Sequence, residues 1–413
     1  MAKPSALRWL MIALVFLATV INYLDRQTLS VVAPQLRDEF GMSNTGYGRV
    51  IFAFMLAYTI MNGLSGVLID RLGTKIGYAL CIAWWSVATL LHAFANNTWS
   101  LGVFRFLLGM GEAGNWPAGV KVVAEWFPEK ERALASGIFN SGSAVGAIVA
   151  PPLIVYIVLH DGWKTAFVLV GASGLLWLLL WWGIYRAPQS AVSAAAGSEE
   201  RVFSAIELLK TPFVFWFMIA KIFLDPAWYF YIFWFPEYLR RARGFELAAI
   251  GTYAWIPFAV AGIGNLGGGW VASQLLSRGI RLAAARNITI LAFALLMTAA
   301  IPAVLVPGAG WSIMLVSVAM MGYTGCTANV LAMPADVLPS SASASIYGIA
   351  SMGSGFGGML FSLATGWLVD YFSYVPVFAG FGLMPLLAAL ILWTLAGEAA
   401  RAKTRQRLGI YSA

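Results

Sequence analysis

The sequence predicts an all-α integral membrane protein of twelve transmembrane helices, arranged as two pseudo-symmetric six-helix bundles. Three observations lead there. Sixty per cent of the 413 residues are hydrophobic and 11% are charged, where a soluble domain carries about 25% charge. The apolar residues fill the whole length in blocks of about 20, long enough to span ~30 Å of hydrocarbon. Glycines and a proline of the first half recur in the second at an offset of 211 positions. A mean hydropathy of +0.79 rules out a cytosolic enzyme, a DNA-binding protein and a single anchored soluble domain.

The expected spans, in order, are 9–31, 46–69, 76–95, 99–122, 133–159, 164–185, 213–239, 248–275, 286–305, 311–332, 343–368 and 375–396. The first is too long for a cleavable signal and runs into Asp25-Arg26, so no leader is expected to be removed. One long polar stretch, rich in Ala and Ser and carrying Glu199-Glu200-Arg201, divides the spans six and six. This gives an N-terminal bundle over 1–185, a cytoplasmic linker over 186–212, and a C-terminal bundle over 213–413 that ends in a short basic tail. Eighteen Trp suit membrane interfaces, and 42 Gly suit close helix packing.

The net charge of +8 is spread in short clusters between apolar runs, so loops on one side of a membrane explain it better than a nucleic-acid partner does. With the N-terminus inside, seventeen Lys and Arg fall on that side and six on the other. Both termini and the linker are therefore expected in the cytoplasm, in a bacterial inner membrane. Cys81 and Cys326 lie inside apolar runs, and His92 and His160 are the only histidines. No metal site, cofactor or histidine relay is expected.

The offset of 211 aligns Gly111 with Gly322, Pro128 with Pro339, Gly137-Ile138 with Gly348-Ile349, Gly142 with Gly353, and Gly146 with Gly357. Repeated six-helix halves point to a transporter that rocks around a midplane site rather than to a channel.

Arg26, Arg105 and Lys221 lie within spans, as do Asp25, Glu112 and Asp225. A charge at span depth costs at least ~2.5–3.5 kcal/mol, so each needs a partner or a wet cavity. Asp25, Arg26 and Arg105 are expected at one depth. Glu112 lies two turns further along span 4, ~10 Å nearer the centre. Together they form a ladder between spans 1 and 4. At the repeat offset Arg105 corresponds to Val316 and Glu112 to Tyr323, so the fold can build the matching span without these charges. Lys221 and Asp225, at i and i+4, can neutralise one another or serve a gating hinge beside Trp228, because Pro226 invites a kink. Tyr23, Tyr58, Asn140, Ser141, Thr327, Asn329 and Ser351 are mid-span polar groups. Each can bind sugar hydroxyls or join two helices.

Span 2 ends in Gly66-Val-Leu-Ile-Asp70-Arg71-Leu-Gly73-Thr74-Lys75. This resembles the loop 2–3 signature of the major facilitator superfamily, Gly-x-x-x-Asp-Arg-x-Gly-Arg-Lys, departing from it at Thr74. Asp70 and Arg71 are the expected gating latch. A worn copy, Gly269 to Ser273 followed by Arg278, has Ser where the acid would stand. Phe104-Arg105 through Pro117, Ala124-Glu-Trp-Phe-Pro through Arg132, Gly137 to Gly142, Asp225-Pro226, Phe233-Trp-Phe-Pro236 and Ala328-Asn329 resemble the anion:cation symporter branch of that superfamily, most of all its hexuronate permeases. Those carry Cys-Trp-Ser-Ala-Asn in span 10, where this chain has Cys326-Thr327-Ala328-Asn329.

The resemblance implies protonation at Asp25 and Glu112, a substrate carboxylate held by Arg26, and Arg105 coupling the two. It also favours Tyr23, Tyr58 and Asn329 among the polar groups. The expected function is proton-coupled uptake, by a monomer, of a small organic anion: a sugar acid such as galacturonate, glucuronate or an aldonate. Two alternatives stay open, a symporter or antiporter for another carboxylate such as an aromatic acid, and a transporter-like membrane sensor. An enzyme is not expected, since no nucleophile–His pair is present.

Overall fold

The computed structural model describes residues 6–186, 205–338 and 340–409. Lys3, Glu199-Glu200-Arg201 and Pro339 lie outside the described residues. The described residues are helical almost throughout. In chain order the helices are α1 (Ala6–Phe40), α2 (Asn44–Leu72), α3 (Thr74–Leu91), α4 (Thr98–Glu112), α5 (Asn115–Trp126), α6 (Glu129–Ile184), α7 (Ala205–Leu209), α8 (Pro212–Leu224), α9 (Pro226–Arg243), α10 (Leu247–Tyr253), α11 (Ile256–Ser277), α12 (Leu282–Met297), α13 (Ala300–Leu305), α14 (Ala309–Val337), α15 (Ser340–Tyr371), α16 (Tyr374–Thr394) and α17 (Glu398–Arg407).

Ten stretches among the described residues are long and apolar enough to cross a membrane. One of them, Leu134–Ile184, is two spans, because Gly162 takes φ 82° and turns the chain in the middle of α6. Only glycine adopts that conformation at little cost. The pair α4 and α5, interrupted at Ala113-Gly114, supplies a further span and brings the number to twelve. Apolar side chains far out on the surface, such as Leu179 and Leu266, face lipid in this multi-pass membrane protein.

Local signals set the helix starts. Ser43 caps α2 by accepting from the Gly46 amide. Asn97 and Ser100 form a reciprocal capping box at the start of α4, and Pro212 opens α8, where its missing N–H costs nothing.

The described residues form two compact units. The first holds 6–186 together with Ile232–Trp255, which is the C-terminal part of α9 plus α10. The second holds 205–231 and 256–409. In the first unit α1 packs on α6, α2 on α4, and α3 on both α4 and α6. In the second, α14 packs on α11 and α12, and α8 on α15 and α16.

Three of the four repeated glycine pairs make close helix contacts in both units, while Gly137 and Gly348 face open space. A Cβ on Gly142 would lie 2.6 Å from the Phe16 carbonyl oxygen, and one on Gly146 would lie 2.7 Å from that of Val20, so α6 lies directly on α1. Their counterparts Gly353 and Gly357 would meet the carbonyl oxygens of Met218 and Ile222 at 2.8 and 2.4 Å, pressing α15 onto α8. Gly111 likewise approaches the Trp85 amide on α3, and Gly322 the Phe293 carbonyl on α12.

The basic tail is a docked helix. Thr404 accepts from the Phe213 amide and so caps α8, while Arg405 donates to the Val337 and Asp336 carbonyls at the end of α14.

Candidate functional site

In the first unit the intramembrane charges of α1 and α4 gather in one buried cluster. Arg26 Nε donates to Glu112 Oε2 at 2.5 Å, with both side chains almost wholly buried. The pairing bypasses Arg105, which the spacing had put level with Arg26. In an α-helix long side chains lean toward their own N-terminus. On antiparallel α1 and α4 that lean carries Arg26 and Glu112 toward one another. The Arg26 guanidinium also lies 4.5 Å from the ring centre of Tyr58, 5.3 Å from Tyr23 and 5.6 Å from Phe54. Three aromatic rings thus confine a planar cation whose Nη2 has no hydrogen-bond partner among the described residues.

Asp25 is fully buried and accepts from the Thr89 hydroxyl on α3 at 2.7 Å. Arg105 is 1% exposed, 6.0 Å from the Phe54 ring centre, and none of its three guanidinium nitrogens has a partner among the described residues. A buried cation so placed is costly unless an opposite charge or water meets it. Glu112 closes α4, and the break that follows it requires Gly114, where a Cβ would meet the Cys81 sulfur at 2.3 Å.

Thr89 and Phe54 escaped the sequence reading. A lone Thr on an apolar helix, or one Phe among 26, carries no signal until its neighbours are known. A second set also escaped it. Arg37 pairs with buried Glu237, Arg241 pairs with Asp38, and the Tyr47 hydroxyl donates to the Phe233 carbonyl at 2.6 Å. These contacts bind Ile232–Trp255 into the first unit.

In the second unit Lys221 and Asp225 form a buried ion pair at 2.6 Å, and Tyr323 donates to Asp225 at 3.1 Å. Trp228 stacks on Tyr323 with ring centres 5.3 Å apart. Asp225 is the residue between α8 and α9, so the pair lies at the expected break. Thr327 donates to the Tyr323 carbonyl. Asn329 donates to the Gly268 and Gly325 carbonyls and accepts from Arg286, which pairs with Asp336. Its amide therefore joins α11 to α14. Asn140 and Ser351 are exposed.

At the loop signature, Asp70 accepts from Lys121 on α5 at 2.7 Å, and Arg71 is exposed. Thr74, the departure from the signature, donates to Glu125 at 2.5 Å, and Tyr185 donates to the other carboxylate oxygen at 2.7 Å.

A buried, charge-bearing cluster inside a twelve-span fold of repeated halves fits a solute carrier, and comparison with known proteins decides the family. The Major Facilitator Superfamily pattern matches residues 15–324 and 286–409. The chain belongs to the Major Facilitator Superfamily. Among curated members of the superfamily, it is 32% identical to the hexuronate transporter of Escherichia coli K12, over 96% of this chain and 95% of that one. It is 35% identical to the galacturonate transporter of Dickeya chrysanthemi over 66% of this chain and 83% of that one. It is 28% identical to a D-galactonate transporter of Escherichia coli over 97% and 98%. Among solved superfamily structures, a D-xylose–proton symporter aligns with TM-score 0.75 at 16% identity, covering 95% of this chain and 99% of that one. A bacterial homologue of the lysosomal transporter Spinster aligns at 0.71 and 20%, covering both chains fully. This member of the superfamily is a transporter, not an enzyme.

Proposed function

We propose that the protein imports a monovalent sugar acid, a hexuronate or an aldonate, together with protons. The observation that carries this reading is the Arg26–Glu112 pair: a guanidinium stacked on three aromatic rings and bound to one oxygen of a buried carboxylate. Protonating Glu112 removes its charge and frees Arg26 to grip a substrate carboxylate with two parallel bonds. Arg105, a second buried cation beside the same Phe54 ring, supplies the field that favours an anion over a neutral sugar. The hexuronate, galacturonate and galactonate transporters among its relatives support a sugar acid as the cargo.

Asp25 and Glu112 are the proton-carrying groups of this reading. Arg26, Arg105, Tyr23 and Tyr58 bind substrate, Asp70 and Arg71 form the latch, and the two halves joined by 186–212 move against each other. Both termini are cytoplasmic. The test is uptake by proteoliposomes of labelled galacturonate, glucuronate and galactonate, with and without an inward proton gradient. Gradient-driven accumulation of one of them, blocked by a protonophore, is expected. Counterflow with no response to the gradient would refute proton coupling, and no counterflow at all would favour a sensor.

A further inference from the structure

Within the first unit, α1 and α3 carry polar faces on otherwise apolar helices. On α1 the face is Thr19, Asn22 and Asp25; on α3 it is Tyr78, Trp85, Ser86 and Thr89. Residues three and four apart share a helix face, and all seven side chains are 0% exposed.

The two faces are tied at both ends. At one end the Thr89 hydroxyl donates to Asp25 Oδ1 at 2.7 Å. At the other, the Tyr78 hydroxyl donates to Asn115 Oδ1 at 2.7 Å, and Asn115 Nδ2 donates to Thr19 at 3.2 Å. Between the ties, Asn22 Nδ2 and Oδ1, Trp85 Nε1, Ser86 Oγ and Asp25 Oδ2 have no hydrogen-bond partner among the described residues. Native interiors pair more than nine in ten such groups, so five together need a common account. Polar contacts whose task is to hold helices together are satisfied, as those of Thr89 and Asn115 are. These five atoms offer both donors and acceptors, the mixture that binds water. Gly174 on α6 lets Ser86 and Trp85 lie against its backbone: a Cβ there would lie 2.1 Å from Ser86 Oγ and 3.7 Å from Trp85 Nε1.

We propose that this cluster is an internal hydration site, whose ordered waters exchange the proton of Asp25 along a path enclosed by the first unit. The site itself stands on these contacts alone, and its proton role rests on the proton-coupled reading above. Six residues separate Asp25 from Thr19, a rise of ~9 Å, which two or three waters bridge at about 2.8 Å spacing. A proton leaving Asp25 Oδ2 joins the first water, which hands one of its own protons to the next. The last water, beside Thr19, holds the excess proton as hydronium until it returns along the same chain or passes to cytoplasmic water. Only O–H bonds form and break, while Asn22 and Trp85 hold the waters without giving up protons. The charges acting on Asp25 are Arg26 from α1 and Arg105 and Glu112 from α4, and α3 contributes the Thr89 hydroxyl.

X-ray radiolytic footprinting of the full chain in nanodiscs, which generates hydroxyl radicals from bound water, tests the site. Trp85 should be oxidised in spite of its burial. Asn22→Leu, apolar and close in size, should lose most of that labelling and most pH-driven accumulation while keeping counterflow; Asn22→Ser should retain both. Ser86→Ala, which removes one hydroxyl and enlarges nothing, should weaken both if the leucine variant does not fold. The site is overturned if wild-type Trp85 is unlabelled, or if labelling is unchanged in both Asn22→Leu and Ser86→Ala. Labelled wild-type protein with no pH-driven accumulation would overturn the proton role through the failure of the proton-coupled reading. Labelling lost with accumulation intact would overturn that role while the reading stands.

Discussion

Arg26 Nε lies 2.5 Å from Glu112 Oε2, while Glu112 Oε1 and Arg26 Nη2 have no hydrogen-bond partner among the described residues. Each group is thus engaged by half. The unpaired Nη2 and Oε1 are where a further polar group would meet this pair.

Arg26→Lys is expected to fold and to lose most substrate binding. Lysine keeps the charge but not the planar fork or the stacking on Tyr58 and Tyr23. Losing one charge-assisted bond of ~1.5–3 kcal/mol weakens affinity by about tenfold to a hundredfold. Isothermal titration with galacturonate or galactonate measures it, and affinity close to wild type would remove Arg26 from the site.

Glu112→Gln mimics the protonated acid. It should exchange labelled for unlabelled substrate across the membrane yet fail to accumulate substrate under a pH gradient. Intact gradient-driven accumulation would exclude Glu112 as the coupling group.

Transport should be electrogenic. Two buried carboxylates, Asp25 and Glu112, can each load a proton, so a monovalent anion moves with one net positive charge. An inside-negative potential then adds ~2.3 kcal/mol per 100 mV. Proteoliposomes with a potassium-diffusion potential and no pH gradient should take up substrate. If they do not while a pH gradient works, one proton accompanies each anion and Asp25 is structural.

Lys221→Met leaves Asp225 buried without its ion-pair partner and should destabilise the protein by about 3–5 kcal/mol, read as a lower melting temperature. Combining it with Asp225→Asn should recover most of that loss. If the double variant is stable and transports normally, the pair only neutralises itself; if it is stable but inactive, the break at Asp225 takes part in gating.

Hydropathy and glycine spacing made the fold readable, because lipid demands long apolar helices and the repeat demands the same close contacts twice. What hydropathy cannot register is interruption. The spans broken at Ala254 and Thr298 stay apolar through the break, whereas Pro226 marks the one at Asp225 in the sequence. The buried charges were readable one at a time, since each is costly in hydrocarbon. The i, i+4 pair of Lys221 and Asp225 was readable too, but the pairing of Arg26 with Glu112 was not, because it depends on how side chains lean along antiparallel helices. Nor could sequence reveal that Asn329 spends its amide on two carbonyls of α11 and α14, since that depends on where Gly268 and Gly325 bring their backbones.

The restraints around the loop signature differ in their sensitivity to ionic strength. Asp70 is largely exposed where Lys121 meets it, so dissolved salt screens that attraction, which is worth at most ~1 kcal/mol. Glu125 is held instead by the hydroxyls of Thr74 and Tyr185. Burial, with the adjacent Glu125, pushes the Tyr185 phenol up, so it remains a donor at any physiological pH. A hydroxyl donor has no net charge for counter-ions to shield. Where a basic residue would have made this second tether electrostatic as well, Thr74 makes it indifferent to salt, so high salt loosens the contact at Asp70 and leaves the one at Glu125 in place.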